Sequence, residues 1–143
     1  MGIHKLSIVI PAYNETASIG ALLQRVAQIE LRHNIAKEIV VFNDGSTDGT
    51  DGAVRRFQWR YPALDVHYLA WPVNRGKGAS LQAAAAVATG DMLVVQDADL
   101  EYDPSDYNRM LKQMGQHADV VYGSRFLNEA AATSPGIASA IVC

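Results

Sequence analysis

Asp97-Ala98-Asp99 closes the apolar run Met92-Leu93-Val94-Val95. On a strand, residues two apart point the same way. The spacing therefore predicts two carboxylates on one face, at the point where a buried strand runs out. At a separation of ~4 Å their repulsion is roughly 4 kcal/mol at an effective dielectric near 20. A divalent cation between them turns that cost into attraction, and Glu101, two residues further on, offers a third oxygen ligand. Such a pattern suits a hard metal ion, and hard metals held by few protein carboxylates usually hold phosphates too.

The elements around this motif alternate. Leu6 to Ile10 predicts a buried strand stopped by Pro11, and Thr16 to Ile29 a helix with Ile19, Leu22, Leu23, Val26 and Ile29 on one face. Lys37 to Phe42 reads as a second strand and Asn43-Asp44-Gly45-Ser46 as a turn, with Thr47 or Asp48 capping a helix that runs to about Arg60. Leu64 to Leu69 alternates like a third strand, Gly76 to Ala88 is a small-residue helix, and Asp91 to Gln96 is a fourth strand. Asp103-Pro104 is an N-cap followed by proline at the first helical position, opening a helix with Tyr107, Met110, Leu111 and Met114 on its apolar face. Ala118 to Tyr122 is a fifth strand. This order predicts an α/β fold, a mostly parallel sheet with helices on both faces. From about Asn128 to Cys143 the chain is rich in small residues and its apolar periodicity fades. That segment reads as an irregular tail, 128–143, after a domain at 1–127, and as a sign of a truncated or altered downstream half.

In open parallel sheets, ligands bind outside the carboxyl ends of the strands. Each of the five strand ends carries a polar cluster: Pro11-Ala12-Tyr13-Asn14-Glu15, Asn43-Asp44-Gly45-Ser46-Thr47-Asp48, Asn74-Arg75-Gly76-Lys77-Gly78, Asp97-Ala98-Asp99-Leu100-Glu101 and Gly123-Ser124-Arg125. Their convergence on one crevice is stronger evidence than any single motif. Individually they have plainer readings. Asp44-Gly45 can be a tight turn, the 74–78 stretch a solvated loop, Arg125 a surface charge, and Glu15 a cap for its own helix. Trp59 and Trp71 read as packing residues, and Asp103 as a cap.

Taken in order, these five segments resemble the family 2 glycosyltransferases, over residues ~6 to ~127. Asp97-Ala98-Asp99-Leu100-Glu101-Tyr102 resembles in particular the polyprenyl (dolichyl) phosphate mannose or glucose synthases. The resemblance implies a GT-A type, Rossmann-like nucleotide-binding domain. It implies an inverting transfer of a hexose from a nucleoside-diphosphate sugar of the GDP-mannose or UDP-glucose type. The implied acceptor is polyprenyl phosphate at a membrane surface. It places Pro11, Ala12, Tyr13 and Glu15 along the base and ribose, and Asp44 as acceptor to the base. Asp97, Ala98 and Asp99, with Glu101 beside them, belong to the metal and diphosphate, and Arg125 faces the phosphates. Tyr13 offers a stacking face and Lys77 a mobile point charge suited to phosphate. Mg²⁺ or Mn²⁺ bridging the phosphates would stabilise charge developing on the leaving group. Asn43 departs from the second aspartate common in the family. No downstream aspartate matches the family's base for hydroxyl acceptors. A phosphate acceptor needs less help, because its second pKa is near ~6, and truncation explains the absence equally well.

Composition excludes other classes. With 143 residues, 49% hydrophobic and 19% charged, the chain suffices for one domain with a real core. A net charge of -3 and the lack of a Lys/Arg run argue against nucleic-acid binding. Cys143 is the single cysteine, so no intrachain disulfide or thiolate zinc site can form. His4, His33, His67 and His117 lack metal-ligand spacing and read as surface or packing residues. Pro11 and Asn14 interrupt the first apolar run, so no signal-peptide core is expected, and no run reaches the ~18 residues needed to cross a bilayer. A cytoplasmic protein, peripheral at the membrane when it meets a lipid acceptor, is the expectation. A donor-binding fragment without turnover is the alternative. A nucleotidyltransferase ranks below both, because Pro11-Ala12-Tyr13-Asn14-Glu15 is not the Gly-rich, Arg-containing loop it would carry.

Overall fold

A computed structural model of the chain describes residues 2–99, 103–114, 120–122 and 140–142. The first half of the chain is written in apolar runs that must be buried on two faces. Strand β1 (Lys5–Ala12) holds Leu6, Ile8, Val9 and Ile10 at zero exposure. It is followed by α1 (Ile19–Gln28), β2 (Ala36–Asp44), α2 (Thr50–Arg60), β3 (Val66–Trp71), α3 (Lys77–Val87), β4 (Met92–Val95), α4 (Tyr107–Met114), β5 (Val120–Tyr122) and β6 (Ala140–Val142). The strands form one sheet in the order β3-β2-β1-β4-β6-β5, and every pairing is parallel.

Alternation along β1 divides its side chains between two cores. Leu6, Ile8 and Ile10 pack with α1, α2 and α4 through Leu22, Leu23, Val26, Phe57, Tyr107 and Leu111. On the other face, Val9, Val40 and Phe42 meet Ala84 and Leu81 of α3. The small side chains of α3 let it lie close to the sheet. Helices on both faces of an all-parallel sheet bear out the expected architecture. The chain turns back at β1, with β2 and β3 on one side and β4 on the other, which is the switch point where such sheets open a crevice.

Several boundaries differ from the sequence reading. Pro11 does not stop β1, which pairs with β2 through Pro11↔Phe42 and Ala12↔Asn43. The Val9 carbonyl accepts from Gln96 N–H on the β4 side. By strand alternation Pro11 faces that same side, where pairing with β4 ends at Val9↔Val95, so its missing N–H costs no bond. Asn43 and Asp44 continue β2 as buried residues instead of forming a turn. Helix α1 starts at Ile19, because the Glu15 carbonyl accepts from both Ser18 and Ile19 N–H and closes a turn over 15–19 first. The Asp103 carboxylate accepts from Ser105 N–H as a cap, but of a 3₁₀ turn, Pro104–Asp106, that leads into α4. Trp59 is 86% exposed and is not a packing residue, since it lies on the face of α2 opposite Val54 and Phe57. Within the stretch read as an irregular tail, the apolar Ala140-Ile141-Val142 inserts between β4 and β5.

Candidate functional site

Loops at the carboxyl ends of β1, β2, β3 and β4 enclose a cavity of about 530 Å³. It is lined by Pro11, Ala12, Tyr13 and Glu15 after β1, and by Asp44 at the end of β2. Asn74, Gly76, Lys77 and Ser80 line it from the start of α3, and Asp97, Ala98 and Asp99 from the end of β4. All the residues singled out from the sequence therefore come together, except Glu101 and Arg125, which lie outside the described residues. Asn74, Gly76 and the fully buried Ser80 are additions. Asn74 and Gly76 belong to the 74–78 polar cluster after β3, whereas nothing in the sequence marks Ser80.

The loops are cross-linked. Asn14, with φ +53°, donates its N–H to Ser46 Oγ, and its side-chain oxygen accepts from Thr47 N–H. Glu15 N–H donates to Thr50 Oγ1, and Thr16 N–H to Asp48. Asp48 accepts from the Thr50 hydroxyl and backbone N–H, which hold its carboxyl well below the usual range, along with Thr16. The Glu15 carboxylate does not cap the helix backbone, as one plainer reading expected. Only its main-chain carbonyl meets the 18–19 N–H groups, while its side chain meets the Ser18 hydroxyl and the residue lines the cavity.

Asp44 anchors the third loop. One oxygen accepts from Arg75 N–H at 2.8 Å and the other from Gly76 N–H at 3.0 Å. Two conformational requirements make this approach feasible. A Cβ on Gly45 (φ +72°) would lie 2.5 Å from the Val73 carbonyl carbon, and Gly76 adopts φ +98°. The Arg75 guanidinium stacks over Trp71, 4.6 Å from the ring centroid, while Trp71 packs edge-on against Phe42. Gly76 then caps α3, whose first turn borders the cavity through Gly76, Lys77 and Ser80.

Asp97 and Asp99 lie beyond the last residue of β4, so their orientation comes from a pinned turn and not from strand pleating. Gln96 N–H makes the final ladder bond to Val9. The buried Gln96 side chain, itself met by the Tyr107 hydroxyl at 2.7 Å, donates to the Asp97 carbonyl. The Ser18 hydroxyl donates to the Ala98 carbonyl, with Glu15 Oε2 3.1 Å away. Ala98 is buried, at 3% exposure, and lines the cavity together with both aspartates. Lys77 Nζ forms an ion pair with Asp97 Oδ1. The first positive charge beside this motif is thus a lysine.

A second charged cluster occupies the opposite end of the sheet. The ligand atoms of Glu38, Asp65 and His67 lie within 4.8 Å of one another, a convergence that histidine spacing did not reveal. Lys5 Nζ sits 3.1 Å from both Glu38 and Asp65 and supplies the cation there. Burial pushes the Glu38 carboxyl up, but donation from Ser7, Thr89 and Lys5 outweighs it and holds the group at about 2. Asn43 also has a structural task. Its side-chain oxygen accepts from Ser46 N–H, and its amide donates to the Tyr68 hydroxyl, whose single hydrogen goes to Asp51. An aspartate at 43 could not donate there. Burial, with Asp51 adding to it, raises the Tyr68 hydroxyl to about 12.

Comparison with known proteins gives the family and the fold. The family model for glycosyl transferase family 2 matches residues 7–139. The dolichyl-phosphate beta-glucosyltransferase ALG5D of Trichomonas vaginalis is 37% identical over 134 residues, 87% of this chain and 40% of that protein. The dodecaprenyl-phosphate galacturonate synthase of Rhizobium johnstonii is 32% identical over 122 residues, 85% of this chain and 36% of that protein. The chain thus spans roughly two fifths of the length of these curated relatives. Among solved structures, the mannosyltransferase PcManGT of Pyrobaculum calidifontis, in complex with GDP-Man and Mn²⁺, superposes with a TM-score of 0.76 at 27% identity. The match covers 86% of this chain and 35% of that one. The fold is of the GT-A type. With the motifs in family order and a parallel sheet opening its crevice at their carboxyl ends, the chain belongs to glycosyl transferase family 2.

Proposed function

We propose that this chain forms the donor-binding part of a metal-dependent, inverting glycosyltransferase. The enzyme would transfer a hexose from a nucleoside-diphosphate sugar, of the GDP-mannose or UDP-glucose type, to polyprenyl phosphate. The observation that carries the reading is the single cavity shared by Tyr13, Asp44, Lys77, Asp97 and Asp99. Its volume suits a ligand of nucleotide-sugar size. The relatives named for dolichyl- and dodecaprenyl-phosphate support the acceptor class, and the GDP-Man and Mn²⁺ complex supports the donor and metal class.

Roles follow from position. Tyr13, half exposed at the cavity lip, offers its ring to the base, with Pro11 and Ala12 beside it. Asp44 uses one acceptor direction on each oxygen for the 75–76 backbone and keeps others for base N–H donors. The diphosphate belongs beside Lys77 and the first turn of α3, where backbone N–H groups and the helix dipole favour anions. Asp97 and Asp99, hard oxygen donors lining the same cavity, fit Mg²⁺ or Mn²⁺, with Glu101 as a third ligand. The ion would supply charge neutralisation on the departing diphosphate. Arg125 is assigned to the phosphates of donor or acceptor. In the reaction an acceptor phosphate oxygen bonds to the anomeric carbon, and that carbon's bond to the diphosphate breaks. The acceptor oxygen is already deprotonated at neutral pH, so no protein base is required. Action on a lipid phosphate places the enzyme at the cytoplasmic face of a membrane. No helix among the described residues is long and apolar enough to cross one.

The test is calorimetric titration of GDP- and UDP-sugars with Mn²⁺ or Mg²⁺. Wild type binds one of them, and at a hundredfold excess over Kd the chain gains ~2.7 kcal/mol of stability. Asp99→Ala is expected to abolish metal-dependent binding while the fold survives. An unchanged titration overturns the assignment. Because the chain spans about two fifths of its relatives, donor binding without turnover is the second reading. Binding combined with absent hydrolysis and transfer would favour it.

A further inference from the structure

We propose that Lys77 and the divalent cation compete for Asp97, and that the lysine passes to the donor's diphosphate when the metal takes the carboxylate. This inference rests on the donor reading above. Lys77 is ion-paired with Asp97, and both residues line the same cavity as Asp99. The backbone that carries Lys77 is fixed. Asp44 holds the N–H groups of Arg75 and Gly76, the Arg75 side chain stacks on Trp71, and Gly76 opens α3 in a conformation that favours glycine. The side chain is the mobile part, 58% exposed on a flexible four-carbon stem. A fixed backbone and a flexible stem make a tethered charge with a short reach.

Electrostatics then orders the exchange. A divalent ion on the Asp97 carboxylate would stand a few ångströms from Nζ, and repulsion between them is twice that of two unit charges at the same distance. The ammonium must withdraw. An arriving diphosphate brings negative charge to the first turn of α3, within reach of the same side chain. Asp44 is on this view a positioning residue for Lys77, because it ties the β3–α3 loop that sets where the tether begins. Recognition at the base end and charge at the metal end are thereby joined through three residues of backbone.

The experiment measures Mn²⁺ binding to the chain without nucleotide, by paramagnetic resonance of free Mn²⁺. It then measures UDP and GDP binding at saturating Mn²⁺, for wild type, Lys77→Met and Lys77→Arg. The pair is partly exposed, so removing the competitor in Lys77→Met should tighten Mn²⁺ alone by only about two- to fivefold. The same variant should bind the nucleoside diphosphate about tenfold more weakly or worse, since a charged hydrogen bond is lost. Lys77→Arg should keep Mn²⁺ affinity at the wild-type value. Opposite signs for metal and nucleotide are not expected from a merely structural lysine. If wild type binds nucleoside diphosphate but Lys77→Met binds Mn²⁺ no more tightly, the exchange is refuted and the donor reading stands. If wild type binds neither nucleotide, the donor reading falls and this inference falls with it.

Discussion

Glu38, at the amino ends of the strands, and Asp97, at the carboxyl ends, are both carboxylates that face a lysine. They differ in what else meets their oxygens. Glu38 is wholly buried, and Ser7, Thr89, Gly90 and Lys5 all donate to it. Asp97 is 26% exposed on the wall of a cavity that also holds Asp44, Asp99 and the first turn of α3. Convergence of ligand atoms is not by itself the mark of a ligand site. Glu38, Asp65 and His67 approach within 4.8 Å and look like a metal set, yet the Lys5 ammonium already stands between two of them. A carboxylate whose acceptors are consumed by its own chain ties strands together. One that keeps acceptors facing open volume is available to a ligand.

The contrast is broken most directly at Glu38. Removing a buried charge and orphaning its partners costs about 3–5 kcal/mol, so Glu38→Ala should show that loss in urea unfolding, with nucleotide affinity per folded molecule unchanged. A loss under 1 kcal/mol would erase the distinction. The same residue predicts an acid limb. Its carboxyl is depressed from 4.5 to about 2 in the folded state, so its contribution is complete above pH ~4.5 and is lost as pH falls toward 2. The drop is roughly 3 kcal/mol, and Glu38→Gln should flatten it. A middle case is Gly45→Ala. A left-handed φ and the Val73 carbonyl carbon at 2.5 Å make it cost about 1–3 kcal/mol, and the displaced 73–76 loop should weaken nucleotide binding as well. The smallest stability effect belongs to Asp97→Asn, under about 1 kcal/mol for a partly exposed pair. Its metal-dependent nucleotide binding should nevertheless be lost in calorimetry, the reverse of the Glu38 pattern.

What the sequence discloses follows the same division. Apolar runs such as Leu6–Ile10 and the face Ile19, Leu22, Leu23, Val26 announce their elements, because burial on a strand or helix leaves a period. The cavity residues were legible because polar side chains at strand ends have little structural use. Polar residues that the fold itself consumes were not. Asn43 and Asp44 look like a turn in composition, yet both are buried in β2, since their partners stand at Ser46, Tyr68, Arg75 and Gly76. Glu38 gave no signal, because its donors lie at positions 5, 7, 89 and 90. Trp59 shows the converse: a large aromatic residue implies burial only if its helix turns it inward.

The placement of β1 between β2 and β4 has a consequence for how the chain acquires its crevice. The first three strands can pair from residues 5–71, in the order they are made. Strand β4 must return across the whole assembly, and the bonds from His4 and Lys5 N–H to Asp91 close loops of 87 and 86 residues. Such long-range parallel pairing is slow relative to local structure. On this topology the base wall, with Tyr13 and Asp44, is expected to form before the acidic wall, which waits on the pairing of β4 with β1. Nucleotide added during refolding should accelerate nothing before β4 docks, and gain of binding should coincide with the slowest folding phase.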